Sequence, residues 1–281
     1  GPADPDAIAD ALIVGADFDL AAADTSATPG FDGDKAAAAV AMAAVAEELA
    51  DLQERLYAHG RDGGSRSLLL IVQGMDTSGK GGVMRHVIGS MDPQGVRITA
   101  FKAPTKEEKA KGYLWRIRQA LPEHGRIGVF DRSQYEDVLA VRVLNLAPRS
   151  VWGRRYNGIN TFESQQVNRG MTIVKVMLHI SRDEQGERLL ERIERPDKHW
   201  KYHPGDIDDR ARWDDYMAAY QEALDRCSTP NAPWYVVPAD KKWYARLAVQ
   251  QLVLKALREM ELGWPDAHFD QATERRRLAE S

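Results

Sequence analysis

The sequence is short of cysteine, of long apolar runs and of excess positive charge, and each shortage narrows what the chain can be. Its single cysteine, Cys227, has no partner for an intramolecular disulfide and no companions with which to hold zinc. A lone thiol of this kind fits a buried side chain in a reducing compartment. The most apolar stretch, residues 36–46, is about half the length that spans a bilayer and runs directly into Glu47 and Glu48. It reads as an Ala-rich surface helix. No signal peptide is visible, and the opening Gly1-Pro2 has the look of a protease remnant. These features set the expectation of a cytoplasmic protein that does not engage a membrane. Lys and Arg number 38 against 42 Asp and Glu, a formal charge of −4. That balance argues against a nucleic-acid-binding surface, yet it leaves room for a local basic channel.

What is present is an ordinary globular composition over 281 residues, 43% hydrophobic and 28% charged. Residues 1–33, rich in Ala, Asp and Gly without clear periodicity, read as a partly ordered N-terminal extension. Residues 34–281 read as a single domain. The stretch 34–59 favours helix and is ended by Gly60. Strand patterns follow at 67–73 (SLLLIVQ), 96–101, 127–130, 172–180 (TIVKVMLHI) and 234–238. Helical patterns lie between them: one reaching about residue 90, then 106–121, 135–144 and 151–168, with a closing helix at 242–262. Continuous apolar runs mark strands covered on both faces. The alternation predicts the α/β class, a three-layer α/β/α arrangement around a five-stranded parallel sheet. Residues 181–212 are crowded with charge of both signs, and read either as a helical lid or as a solvated helix pair.

Residues 74–80, Gly-Met-Asp-Thr-Ser-Gly-Lys, fit G-x-x-x-x-G-K between the first strand and the next helix. Glycines let backbone N–H groups turn inward around phosphate oxygens, the lysine adds a point charge, and the helix N-terminus adds its dipole. Gly74, Thr77, Ser78, Gly79, Lys80 and Gly81 are therefore the candidate phosphate-binding positions. The loop departs from the usual form because Gly81 and Gly82 stand where a Ser or Thr would hold Mg²⁺. Asp76 is the carboxylate available in its place. An acid there repels bound phosphate unless it binds the screening metal or activates an attacking oxygen.

The third strand runs into Asp131, the position of a Walker B carboxylate facing the phosphate loop, and Arg132 beside it offers a planar fork for phosphate. The plainer alternative is a strand-end Asp131 capping the next helix and paired with Arg132. After the second strand, Lys102 and Thr105 are candidates for the nucleotide side of the site; equally, Thr105 caps the following helix and Lys102 is exposed. The charged segment offers Arg182, Arg188, Arg192, Arg195, Lys198 and Lys201, with Trp200 among them, to a polyanion. Its acids, Asp183, Glu184, Glu187, Glu191 and Glu194, offer the competing reading of surface ion pairs.

At these residues the chain resembles the polyphosphate kinase 2 family. The resemblance rests on GMDTSGKGG at 74–82, FDRSQYEDVLAVRV at 130–143, and PDKHWK at 196–201 ahead of WDDY at 213–216. In element order it covers roughly residues 28–262. It implies a P-loop kinase-like fold with a helical lid, dependence on Mg²⁺ with Mn²⁺ as a substitute, and a homodimer or homotetramer. The reaction implied is reversible transfer between inorganic polyphosphate and nucleoside mono- or diphosphates. By position it assigns Asp76 and Asp131 to metal binding and catalysis, Lys80 and Arg132 to phosphate, and Arg188 and Lys201 to the lid. Glu136, four residues after Arg132, is similar to the subgroup that accepts both AMP and ADP, and a carboxylate there could recruit a further metal ion or orient the acceptor. The candidate catalytic set is thus Asp76, Lys80, Asp131, Arg132 and Glu136. Two rivals use the same loop: an NTP-dependent nucleotide or small-molecule kinase, and a P-loop binding protein without turnover.

Overall fold

Five apolar segments decide the architecture in the computed structural model, which describes residues 2–281. They are β1 (Ser67–Gly74), β2 (Val96–Ala100), β3 (Ile127–Asp131), β4 (Met171–His179) and β5 (Trp234–Pro238). All pair in parallel, in the order β2-β3-β1-β4-β5. Leu68 to Val72 have no exposed surface, as a central strand covered by helices on both faces requires, whereas edge strand β2 leaves Ile98 half exposed. The register sets Val72 beside Asp131 and Gly74 beside Leu178, so the carboxyl ends of β1, β3 and β4 open onto one crevice.

One group of helices packs on the sheet through Lys242–Glu259, which is buried on most sides and touches β1, β4 and β5. Lys35–Arg61 lies over it. A second group, Arg155–Asn168 and Trp213–Cys227, meets β4 separately through the first of the pair. The result is the three-layer α/β/α arrangement.

Several expected helices are interrupted. Residues 106–121 form Lys106–Ala110 and Trp115–Ala120, separated at Gly112, whose φ of 86° leaves the helical region. The helix after the phosphate loop keeps α geometry over Lys80–Val83 and widens to a π turn over Met84–Ile88. Residues 181–212 comprise Arg182–Glu194, a 3₁₀ segment Pro196–Lys201, and Gly205–Ala211.

The N-terminal segment differs most from its reading as a partly ordered extension. Asp4 caps a helix over Pro5–Leu12, and Ile8, Leu12, Val14, Leu20 and Phe31 are all buried. The Val14 amide donates to the Trp234 carbonyl at 2.8 Å, tying the segment to β5. Thr25 and Ser26 donate hydroxyl hydrogen bonds to Asp240 at 2.6 and 3.0 Å. The helix carries a local period, with buried Pro5, Ile8, Ala9 and Leu12 at i, i+3, i+4 and i+7, but over only eight residues, too few to stand out among the alanines. Among the described residues no helix is long and apolar enough to cross a membrane.

Candidate active site

Where β1 ends, the chain must turn sharply before the next helix begins. Gly79 takes φ 105° and Thr77 φ 68°, in the region an L side chain enters at a cost. A Cβ at Gly74 would sit 2.7 Å from the Leu178 carbonyl oxygen, so no larger residue fits there. The loop holds buried hydroxyls on Thr77 and Ser78 that have no hydrogen-bond partner within the protein. Buried polar atoms are rarely left so, and here both residues belong to the wall of a cavity lined by cations. Lys80 Nζ donates to the Gly74 carbonyl at 3.1 Å, and burial followed by the Arg132 charge lowers its pKa, opposed by Asp131, Asp76 and Glu136.

Arg132 stands at the centre. Its φ of 63° is a strained conformation for a long side chain, held by its amide donating to the Val72 carbonyl at 3.0 Å. Its guanidinium lies 3.5 Å from Asp76 and 4.0 Å from Glu136. Burial opposes its charge, but Glu136, Asp76 and Asp131 together outweigh burial and raise its pKa. Asp209, on Gly205–Ala211, comes against Asp76 from the opposite wall. Burial and that neighbouring carboxylate push it up to about 6.

Two cavities meet here. The larger, about 960 Å³, is walled by the phosphate loop, Asp131 and a ring of cations. Besides Lys80 and Arg132 these include Lys102, Arg192, Lys198 and Lys201, together with Arg85, Lys242 and Arg246. Burial and cationic neighbours lower the pKa of His86, Lys242 and Arg246, three groups responding to one positive field. The smaller cavity, about 200 Å³, has an apolar wall of Ala103, Pro104, Val141 and Leu146, with Tyr216, Tyr220 and Glu136. Asp76, Lys102 and Arg132 line both.

The candidates named from sequence separate on these walls. Asp76, Lys102 and Arg132 lie at the junction, Lys80 and Asp131 line the larger cavity, and Glu136 faces the smaller cavity only. Thr105 closes a capping box with Glu108 and lines neither cavity, the plainer of its two readings. Arg188 reaches the larger cavity, but its guanidinium donates to the carbonyls of Thr77, Ala239 and Asp240 at 2.8, 2.8 and 3.0 Å. It therefore fastens Arg182–Glu194 to the phosphate loop. Surface ion pairs account for part of the charged segment, since Arg195 and Lys198 both contact Glu191 at 2.8 Å. Arg85, Lys242 and Arg246 were not singled out from sequence. Lys242 and Arg246 lie one turn apart at the start of the closing helix, a spacing that already puts both on one face.

The family description Polyphosphate kinase 2 (PPK2) matches residues 32–263. The chain belongs to the polyphosphate kinase 2 family. A crystal structure of Polyphosphate Kinase 2 from Arthrobacter aurescens TC1 superposes with a TM-score of 0.97 at 55% identity, covering 100% of this chain and 99% of that one. The AMP/ADP-polyphosphate phosphotransferase of Meiothermus ruber is 44% identical over 248 residues, 88% of this chain and 91% of the relative. The ADP-polyphosphate phosphotransferase of Rhodopseudomonas palustris is 43% identical over 232 residues, 78% of this chain and 79% of the relative. The stretches 74–82 and 130–143 supply Asp76 and Arg132 at the cavity junction, and 196–201 lines the larger cavity through Lys198, Trp200 and Lys201.

Proposed function

We propose that the protein is a polyphosphate:nucleotide phosphotransferase that passes the terminal phosphoryl of inorganic polyphosphate to AMP and ADP, reversibly. The observation that carries this reading is the junction of a long cationic cavity with a small apolar-walled one at Asp76, Lys102 and Arg132. A linear polyanion with no apolar part suits the first. A nucleoside, with an apolar base and one phosphate end, suits the second.

In the transfer, a phosphate oxygen of the nucleotide attacks the terminal phosphorus of the chain. One P–O bond forms, the P–O bond to the penultimate phosphate breaks, and the electron pair leaves on the shortened polyphosphate. The attacking oxygen is already ionised, so no side chain need remove a proton. Lys80 and the loop amides bind donor oxygens, while Arg132, reaching both cavities, stabilises charge on the phosphoryl in flight. Among the described residues no three His, Cys, Asp or Glu side chains form a closed cage. Asp76 and Asp131 in the larger cavity instead suit a hard cation that takes one or two carboxylates plus substrate phosphates and water. They would hold Mg²⁺ or Mn²⁺, which when bound screens the donor charge; Glu136 would serve the acceptor side.

Residues 181–212 act as a lid in this reading, supported by their position over the larger cavity and by Trp200 standing 78% exposed at its mouth. Assembly as a homodimer or homotetramer, suggested by the family resemblance, is checked by light scattering. Incubation with Mg²⁺, long-chain polyphosphate and AMP or ADP, followed by nucleotide chromatography, tests the function. ADP and ATP formed from AMP only when polyphosphate is present supports it. ATP consumption against another acceptor, with no use of polyphosphate, would replace it with an NTP-dependent kinase.

A further inference from the structure

Beneath Glu136 lies a neutral side chain that no part of the reaction so far requires. Gln73, next to last in β1, is 1% exposed and spends its amide on three groups of the site. Its Nε2 donates to Glu136 Oε2 at 3.0 Å and to the Tyr220 hydroxyl at 3.4 Å. Its Oε1 accepts from Ser133 Oγ at 2.8 Å. The orientation of the amide is fixed by chemistry, because an ionised carboxylate only accepts and must face the NH₂. Ser133 Oγ, having given its proton to Gln73, accepts from the Tyr135 amide at 3.2 Å and so caps the 3₁₀ turn Gln134–Asp137 that carries Glu136. Both ends of the Gln73 amide thus bear on Glu136, one through its carboxylate and one through its backbone.

We infer that Gln73 is the positioning residue for Glu136, and that it thereby sets how well the smaller cavity takes a nucleoside monophosphate. The charge count makes a neutral amide the fitting choice. Four carboxylates, Asp76, Asp131, Glu136 and Asp209, already stand around three cations, Lys80, Lys102 and Arg132, at and beside the junction. A carboxylate at position 73 would add repulsion beneath Glu136, and an ammonium would draw Glu136 down and away from the acceptor. The amide secures one carboxylate oxygen and leaves the other turned to Arg132, 4.0 Å away. Tyr220, on Trp213–Cys227, closes the far side of the amide and lines the same cavity.

The inference rests on the proposed function for its consequence, though its geometry can be tested alone. Gln73→Met keeps the length of the side chain and removes both hydrogen-bonding ends. Losing a hydrogen bond to a charged group corresponds to about a tenfold to hundredfold effect. We expect kcat/KM for AMP to fall by that amount, mainly through KM for AMP, with KM for polyphosphate unchanged. Glu136→Gln should lose AMP use to a similar degree, and Gln73→Met combined with it should lose little more. A Gln73→Met enzyme whose AMP kinetics match wild type would overturn the inference. So would losses that add fully in the double variant, or that fall equally on AMP and polyphosphate. If the wild type itself makes no ADP from AMP, the functional reading fails instead. A crystal structure of Gln73→Met then decides the positioning claim: Glu136 displaced from its place supports it, and Glu136 unmoved refutes it.

Discussion

Two clusters of opposite charge lie in this molecule, and they are satisfied in opposite ways. The first is sealed between β4 and the helix Arg155–Asn168. Lys175, with no exposed surface, donates to Glu163, Tyr135 and the Cys227 carbonyl at 2.7, 2.7 and 2.6 Å. Glu163 accepts in addition from Tyr135 at 2.7 Å and Gln134 at 3.0 Å. The second cluster, at the cavity junction, holds its pairs at 3.5 and 4.0 Å, keeps two loop hydroxyls without partners and sets Thr77 and Arg132 at positive φ. Similar residue types are close-packed in one place, with both charges directly paired and only the amide oxygen of Gln134 left over, and loose and strained in the other. Paired charges sealed from water specify structure; loosely paired ones open to a cavity are arranged for groups that arrive from outside.

Breaking the sealed cluster should show in stability. Lys175→Met or Glu163→Leu alone strands a buried charge, so urea unfolding should lose about 3–5 kcal/mol, while the two together recover much of it. Asp76→Asn and Asp131→Asn should show the reverse pattern. Phosphoryl transfer measured by chromatography falls about 10²–10³-fold, and the melting temperature stays near wild type.

Arg188 sharpens the comparison because it belongs to both sides, lining the larger cavity yet bonded to three carbonyls. Arg188→Met should cost about 1–3 kcal/mol in urea unfolding and weaken polyphosphate use. Lys201→Met, on the same wall but exposed, should raise KM for polyphosphate and leave stability alone. The smallest signal comes from Cys227. Burial pushes its thiol up to about 12, so a thiol reagent at about pH 8 should modify it only as fast as the chain unfolds.

Much of the fold was legible because its strands are continuous apolar runs and its phosphate loop is punctuated by Gly74 and Gly79. Of the site, Asp76, Lys80, Asp131 and Arg132 could be read because each has a fixed place relative to a strand end. What escaped depends on partners remote in sequence. Lys175 in the middle of TIVKVMLHI demands a buried acid, yet nothing local says that Glu163 supplies it. Gln73 reads as the last polar residue of a strand until β3 brings Ser133 and Glu136 beside it. The N-terminal helix has a readable start, Asp4 ahead of Pro5, and Ile8 and Leu12 one turn apart, but the surface they pack on, Lys242–Glu259, is remote in sequence. Arg188 was read as a phosphate-binding cation, and the charge was visible where the carbonyls that engage it were not.

In the proposed mechanism donor and acceptor occupy different cavities and meet at Arg132. A crystal structure with polyphosphate and AMP bound would settle whether they do. Polyphosphate is expected along the wall formed by Lys80, Lys242 and Arg246, and AMP between Pro104 and Tyr216 with its phosphate toward Arg132. Nucleotide phosphates seated on the loop over Gly79 and Lys80, with no polyphosphate in the larger cavity, would contradict the mechanism.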